Sequence, residues 1–201
     1  MDFLYSIWGL RNLLLTVQNF YFNFRYRKLN SKIRIFGYPI ISIAKNSRFE
    51  IGQNLMLISS NYFSESGVNH SVVIRTLNKN AEIKIGNNVG ISGGCICAAS
   101  KIEIGDNVLI GANSSIIDTD FHPIDPVNRR FSNVNVQTKA IKISNNVFIG
   151  MNSIILKGVT IGENCVIGSG SIVTKNIPKN SIAIGNPCKV VIIKNWNLPN
   201  K

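Results

Sequence analysis

ISNNVFIGMNSIILKGVTIGENCVIGSGSIV, residues 143–173, decides the fold. A large aliphatic residue stands at every sixth position: Ile143, Ile149, Ile155, Ile161, Ile167 and Val173. The fifth slot of each block holds a small or β-branched residue: Val147, Ser153, Val159, Cys165 and Ser171. The fourth slot is usually Asn or Gly, the residues that enter the left-handed backbone region at least cost. Short strand, corner and short strand again is the physical content of this pattern. Three blocks close one triangular coil, and the aliphatic ladder stacks inside it. Repeats of this kind build solenoids.

Upstream, the same period reads through IGNNVG (85–90), ISGGCI (91–96), IGDNVL (104–109) and IGANSS (110–115), which puts Val89, Cys95, Val108 and Ser114 in the fifth slot. One extra residue slips the register between Ile91 and Ile104, and a fainter copy, IGQNLML, lies at 51–57. The composition follows from this architecture. Of 201 residues, 27 are Asn, and they supply the corners.

The repeat breaks between Ile116 and Ile143. The inserted stretch, about 117–140, contains Asp118-Thr119-Asp120-Phe121-His122-Pro123, then Asp125, Pro126, Arg129 and Arg130. An insertion leaving a solenoid falls on one face and often carries its site. A His beside carboxylates suits general base chemistry, because a carboxylate can orient the ring and stabilise its cation. The bland alternative for a lone loop His is a surface residue. His70 has no such surroundings and reads as exposed or packed on a coil.

The formal charge is +12, from 22 Lys and Arg against 10 Asp and Glu. Residues 1–50 hold eight basic and two acidic residues, a net +6, and 10 of the 17 aromatics precede residue 39. That shift marks a separate N-terminal segment, residues 1–32. The spacing predicts a helix over 2–29, with Ile7, Leu10, Leu14, Val17 and Tyr21 on one apolar face. It either caps the end of the solenoid or lies on a membrane surface through residues 1–28, and the two are compatible. Met1-Asp2 offers no basic leader region, and no stretch of 18 apolar residues suggests a membrane span. Residues 33–190 form the solenoid and 191–201 a tail.

These strings resemble the hexapeptide-repeat acyltransferases, in the branch of the maltose, galactoside and polysaccharide O-acetyltransferases. The carriers are the DTDFHP loop, ISNNVFIGMN, ILKGVTIGENCVIGSGSIVTKNIP and GNPCKVV, and the match is strong over about 110–190. The resemblance implies a left-handed parallel β-helix, a hand that periodicity alone does not reveal, and an all-β solenoid with one extended loop. It implies a homotrimer with acetyl-CoA bound between subunits, His122 as general base, and Asp118 or Asp120 orienting the ring or holding sugar hydroxyls. A backbone N–H of the neighbouring coil would stabilise the oxyanion. Carried over residue by residue, Phe148 forms an aromatic wall where the family usually has Trp. Gly150, Met151, Gly168 and Ser169 line the pantetheine arm. Thr174 and Lys175 meet the far end of the cofactor, and Lys189 its phosphates. No metal is required.

The implied acceptor is a sugar hydroxyl. An aromatic, basic helix suits surface-polysaccharide assembly by a cytoplasmic enzyme peripheral to the inner membrane. An amino group on a nucleotide-linked sugar is the alternative acceptor. Other classes fare worse. Two His cannot make a multi-histidine metal centre, four Cys without a CxxC pair argue against a zinc ribbon, and Cys95, Cys97 and Cys165 read as repeat residues rather than nucleophiles. The charge would suit an anionic-polymer binding solenoid, but no nucleic-acid motif is present.

Overall fold

A computed structural model of the chain describes residues 2–26, 31–127 and 129–192, with α1 side chains from Leu13 onward. One helix, α1 (Asp2–Arg25), precedes nineteen short strands. The first three coils are β1 (Ile33–Phe36), β2 (Ile40–Ser42), β3 (Arg48–Ile51); β4 (Leu55–Ile58), β5 (Val73–Thr76), β6 (Glu82–Ile85); and β7 (Gly90–Ser92), β8 (Cys95–Ala98), β9 (Lys101–Ile104). The next are β10 (Leu109–Ile110), β11 (Ser115–Ile117), β12 (Ile141–Ile143), then β13 (Phe148–Ile149), β14 (Ile154–Ile155), β15 (Thr160–Ile161). The stack closes with β16 (Val166–Ile167), β17 (Ile172–Val173), β18 (Ser181–Ile184) and β19 (Lys189–Ile192). Among the described residues every third strand pairs in parallel up to β17, giving three faces of eight, six and five strands; β18 then follows β16 on the first face, because a single bridge, Ile161 to Ile177, stands in for a strand on the third, and β19 runs antiparallel against β18. β19 includes two residues that the sequence reading gave to the tail; residues 193–201 lie outside the described residues.

The interior is the predicted ladder. Ile85, Ile91, Ile104, Ile110, Ile116, Ile143, Ile149, Ile155, Ile161, Ile167 and Val173 are all buried. Two coils precede the strict repeat, and they bury Ile33, Ile35, Leu55, Leu57 and Ile74 on the same axis. The register slip moves one residue: Ile96 pairs with Ile116 and points inward, so Cys95 leaves the fifth slot and is only half-buried.

The corners explain the Asn content. Ten Asn, among them Asn54, Asn88, Asn107, Asn146, Asn164 and Asn180, have φ between 56° and 65°. Their amides stack from coil to coil, Asn54 donating to Asn88 at 3.0 Å, Asn88 to Asn107 at 3.0 Å, and Asn164 to Asn180 at 2.8 Å. A left-handed corner therefore also acquires a polar ladder down one edge.

The three outer surfaces differ. The third face pairs opposite charges in register: Arg48, Glu82 and Lys101 in one row, Glu50, Lys84, Glu103 and Lys142 in the next. Lys101 sits 2.7 Å from Glu103, and Arg48 2.9 Å from Glu50. The first face instead aligns Met56, Gly90, Leu109, Phe148 and Val166, and the second Val73, Cys95, Ser115, Ile154 and Ile172. Apart from Arg34 and Arg75 near the helix end, two faces are thus mainly apolar outward, whereas the third is charged.

Helix α1 caps the open end of the stack, but not through the predicted stripe. Leu14, Val17 and Tyr21 are exposed, and Ile7 and Leu10 lie outside the described side chains. The docked face carries Leu15, Gln18, Asn19, Phe22, Asn23 and Tyr26. Asn19 donates to the Ile35 carbonyl at 2.9 Å and accepts from the Ile35 amide at 2.7 Å; Asn23 does the same to Ile33 at 2.7 and 2.9 Å. β1 is the edge of its sheet, and an unpaired edge needs covering. Two Asn spaced one helical turn apart match two strand residues spaced two apart. Asn19→Ala or Asn23→Ala leaves a buried backbone pair unmet and should cost about 1–3 kcal/mol, read as a lower unfolding midpoint than in Val17→Ala on the opposite face.

Candidate active site

The insertion leaves β11 and returns at β12, so it springs from the corner between the second and third faces. Its base is a clasp. The Asp118 carbonyl accepts from Lys139 at 2.9 Å, Thr119 bridges Thr138, and the Asp120 amide donates to Gln137 at 3.1 Å. Asp118 is fully buried. Its carboxylate accepts the Ala99 amide at 2.6 Å and the Ser100 amide at 2.8 Å, from the preceding coil. Burial pushes its carboxyl up from the ordinary Asp range, and the amides pull the other way. This corrects the sequence expectation. With both carboxylate oxygens held by backbone amides of the preceding coil, Asp118 ties the loop base to the stack instead of orienting the imidazole.

Asp120 has a different partner from the expected one. Its Oδ1 lies 2.6 Å from Lys157 Nζ, which comes from the corner of the next coil, and its Oδ2 is buried without a hydrogen-bond partner. Phe121 adopts φ 60°, a region that an aromatic residue enters only when its surroundings impose it. Its amide donates to Thr119 Oγ1 at 3.2 Å, and the His122 amide donates to the Asp120 carbonyl at 2.7 Å. This tight turn leaves His122 exposed. A cavity of about 900 Å³ opens beside it, lined by His122, Pro126, Arg129, Arg130 and Phe131.

The residues expected to meet the cofactor fall on two edges. Gly150 and Met151 turn the corner between the first and second faces, and Gly168 and Ser169 turn it one coil later. The Gly150 amide donates to Ile167 at 2.7 Å and the Gly168 amide to Ala183 at 2.9 Å. Ser114 Oγ donates to the Gly150 carbonyl at 2.9 Å and Ser153 Oγ to the Gly168 carbonyl at 3.1 Å. The fifth-slot serines therefore stitch this edge together. A Cβ on Gly150 would stand 2.5 Å from the Ser169 amide nitrogen, so the coils stack this closely only with glycine there. With the Gly150 and Gly168 amides spent between coils, the edge offers an extended ligand a smooth wall plus the exposed Ser169. Phe148 flanks it on the first face, half exposed between Leu109 and Val166. These five are the residues expected along the thioester arm; Lys189, expected at its phosphates, is exposed on β19 opposite Ile184.

Thr174 and Lys175 follow β17, on the corner from which the His122 loop springs. One chain thus brings His122, Lys157, Thr174 and Lys175 to one edge, and Phe148, Gly150, Met151, Gly168 and Ser169 to another. Lys157 and the cavity at Arg129, Arg130 and Phe131 were not assigned from sequence. Lys157 stands inside the ILKGVT repeat block, where its corner position gives no sign that the insertion of the coil before folds back onto it. Among the described residues, no group of three or more His, Cys, Asp or Glu could hold a metal.

Comparison with known proteins agrees with this architecture. The family described as bacterial transferase hexapeptide (six repeats) matches residues 140–175, and the hexapeptide repeat of succinyl-transferase matches residues 101–119. Galactoside O-acetyltransferase of Escherichia coli is 41% identical over 90 residues, covering 45% of this chain and 43% of that protein. The chain spans less than half the length of the curated relatives it matches. A Vibrio cholerae hexapeptide-repeat acetyltransferase, solved with acetyl coenzyme A, is 25% identical with a TM-score of 0.50, covering 75% of this chain and 69% of that one. A Bacillus cereus N-acyltransferase in complex with dTDP and coenzyme A shares the fold at 19% identity and a TM-score of 0.62, covering 83% and 82%.

Proposed function

We propose that this chain, which belongs to the hexapeptide-repeat acyltransferases of the left-handed β-helix fold, transfers an acetyl group from acetyl-CoA to a sugar hydroxyl in surface-polysaccharide assembly. The observation that carries the reading is the exposed His122 on a clasped, strained loop beside an open cavity. His122 takes the proton of the acceptor hydroxyl as that oxygen attacks the acyl carbon. Lys157 and Asp120 hold the turn that presents the ring. Acetyl-CoA supplies the acyl group as an activated thioester. Phe148, Met151 and Ser169 would flank its arm, Thr174 and Lys175 would meet its far end, and Lys189 would face its phosphates.

The working form is a homotrimer with its sites between subunits. The first and second faces are mainly apolar outward and meet at the glycine edge, whereas the third is a charged ladder. A head-to-tail ring closing on a threefold axis would cover apolar surface of both faces, and the family resemblance favours a site in which the long loop of one subunit reaches the glycine edge of the next. Mass spectrometry of acetyl-CoA incubations with a panel of oligosaccharides tests the reaction. One acetyl ester per acceptor is expected; acylation of amines alone, or no transfer, would contradict it.

The helix supports peripheral membrane contact from a cytoplasmic position. Leu13, Leu14, Val17, Phe20, Tyr21 and Phe24 are all exposed on the face opposite the Asn clasp, and Arg25 closes the helix. An apolar face with a basic end suits an anionic lipid surface. Among the described residues no helix is long and apolar enough to cross a membrane. Met1, Arg27 and Lys28 lie outside the described residues. The chain should co-sediment with vesicles containing anionic lipid and lose this binding in Val17→Glu/Phe20→Glu, which leaves the clasp intact; equal sedimentation of both forms would contradict the contact.

A further inference from the structure

We infer that the acceptor is acidic: Arg129 and Arg130 bind an anionic group, a sugar carboxylate or phosphate, next to the hydroxyl presented to His122. This rests on the acyl-transfer reading of His122 and adds the chemical class of its substrate.

One cavity of about 900 Å³ is lined by His122, Pro126, Arg129, Arg130 and Phe131. Three described cations have acidic partners: Arg48 and Lys101 on the third face, and Lys157, which pairs with Asp120. Among the described residues neither Arg129 nor Arg130 takes part in an ion pair. Asp125, the acid nearest in sequence, turns its Oδ1 to the Val127 amide at 2.9 Å. Two neighbouring uncompensated cations repel each other, and an anion between them removes that cost.

Both groups are nevertheless held. Arg129 Nη2 donates to the Ile124 carbonyl, one of the five donors a guanidinium carries. Arg130 lies 5.9 Å from the centroid of the Phe131 ring, within cation–π range. A guanidinium positioned in this way matches a carboxylate or phosphate through two parallel bonds. The apolar side of the cavity fits a sugar as well. Phe131 is 87% exposed, and Ile124, Val127 and Val134 of the same insertion are exposed with it, so the loop presents apolar surface rather than one stray side chain. A pyranose has an apolar C–H face to lay against the Phe131 ring while its anionic substituent meets the arginines. Solvated surface arginines would account for the charge, but not for a base, two unpaired cations and a bare aromatic ring in one concavity.

The test is binding, read by ligand-observed NMR titration of the full chain with methyl glucuronide, its neutral methyl ester and a UDP-sugar. The acid should bind roughly tenfold or more tightly than the ester. That preference should weaken with salt, disappear in Arg129→Ala/Arg130→Ala, and survive in His122→Ala. If the UDP-sugar alone binds and loses its affinity in the arginine variant, the anion is phosphate and the proposal stands with that source. Equal binding of acid and ester without arginine-dependent UDP-sugar binding overturns it, as does no binding of any probe, or a preference retained without the arginines. Loss of CoA affinity with an unchanged sugar preference overturns it too, since the arginines would then serve CoA. Acetyl transfer measured alongside separates the two readings: transfer without acid preference defeats this inference alone, and acid preference without any transfer defeats the acyl-transfer reading alone.

Discussion

His122→Ala should lower turnover by about 10²–10⁴-fold, the usual contribution of a positioned general base, with acetyl-CoA affinity nearly unchanged. The separation follows from the geometry. His122 sits on the loop edge, whereas the residues fitted to the acyl arm lie on the glycine edge, across the second face; Thr174 and Lys175 share the His122 corner but two coils away, where the far end of the cofactor is expected. Removing an exposed imidazole leaves the clasp intact, because that clasp is made by Asp118, Thr119 and Asp120. The variant should therefore unfold at the same temperature as the parent, which separates chemistry from folding. Stopped turnover with unchanged CoA binding and an unchanged unfolding midpoint is the expected pattern. A variant that retains wild-type turnover would remove His122 from the reaction.

Much of this arrangement was legible in the chain, and what was missed has physical reasons. A six-residue period with Asn or Gly at the corners leaves few alternatives to a three-faced coil, so the interior isoleucines and the left-handed asparagines could be read directly. The first two coils were faint because their corners are longer and less regular, as at 43–47 and 59–72. The docked side of α1 was misread because hydrophobic periodicity looks for apolar contact. Here Asn19 and Asn23 are drawn inward by the unpaired edge of β1, and a polar side chain that completes a sheet edge looks like a solvent residue in sequence. Asp118 was misread for a related reason. Beside a His it looks catalytic, yet its partners are amides of Ala99 and Ser100, a full coil earlier, and backbone donors leave no mark on side-chain patterns. Lys157 and the Arg129–Phe131 cavity depend on how the insertion turns, which no repeat constrains.

The division of the site between two edges leads to the other large effect. If one subunit supplies His122 and its neighbour the glycine edge, two different inactive variants should rescue each other. His122→Ala removes the base. Ser169→Trp fills the glycine edge at an exposed residue that makes no coil-to-coil bond through its side chain, so the stack is retained while the donor path is blocked. Each variant alone should be nearly inactive. In trimers assembled at random from equal amounts of both, half of the loops and half of the edges are intact. About one site in four then combines an intact loop with an intact edge. A site confined to one chain would never combine them. The decisive measurement is acetyl-CoA turnover after the two variants are unfolded, mixed and refolded together, with each refolded alone as control. Recovery of roughly a quarter of wild-type turnover is the result expected here, and turnover that stays at the level of the separate variants would contradict it.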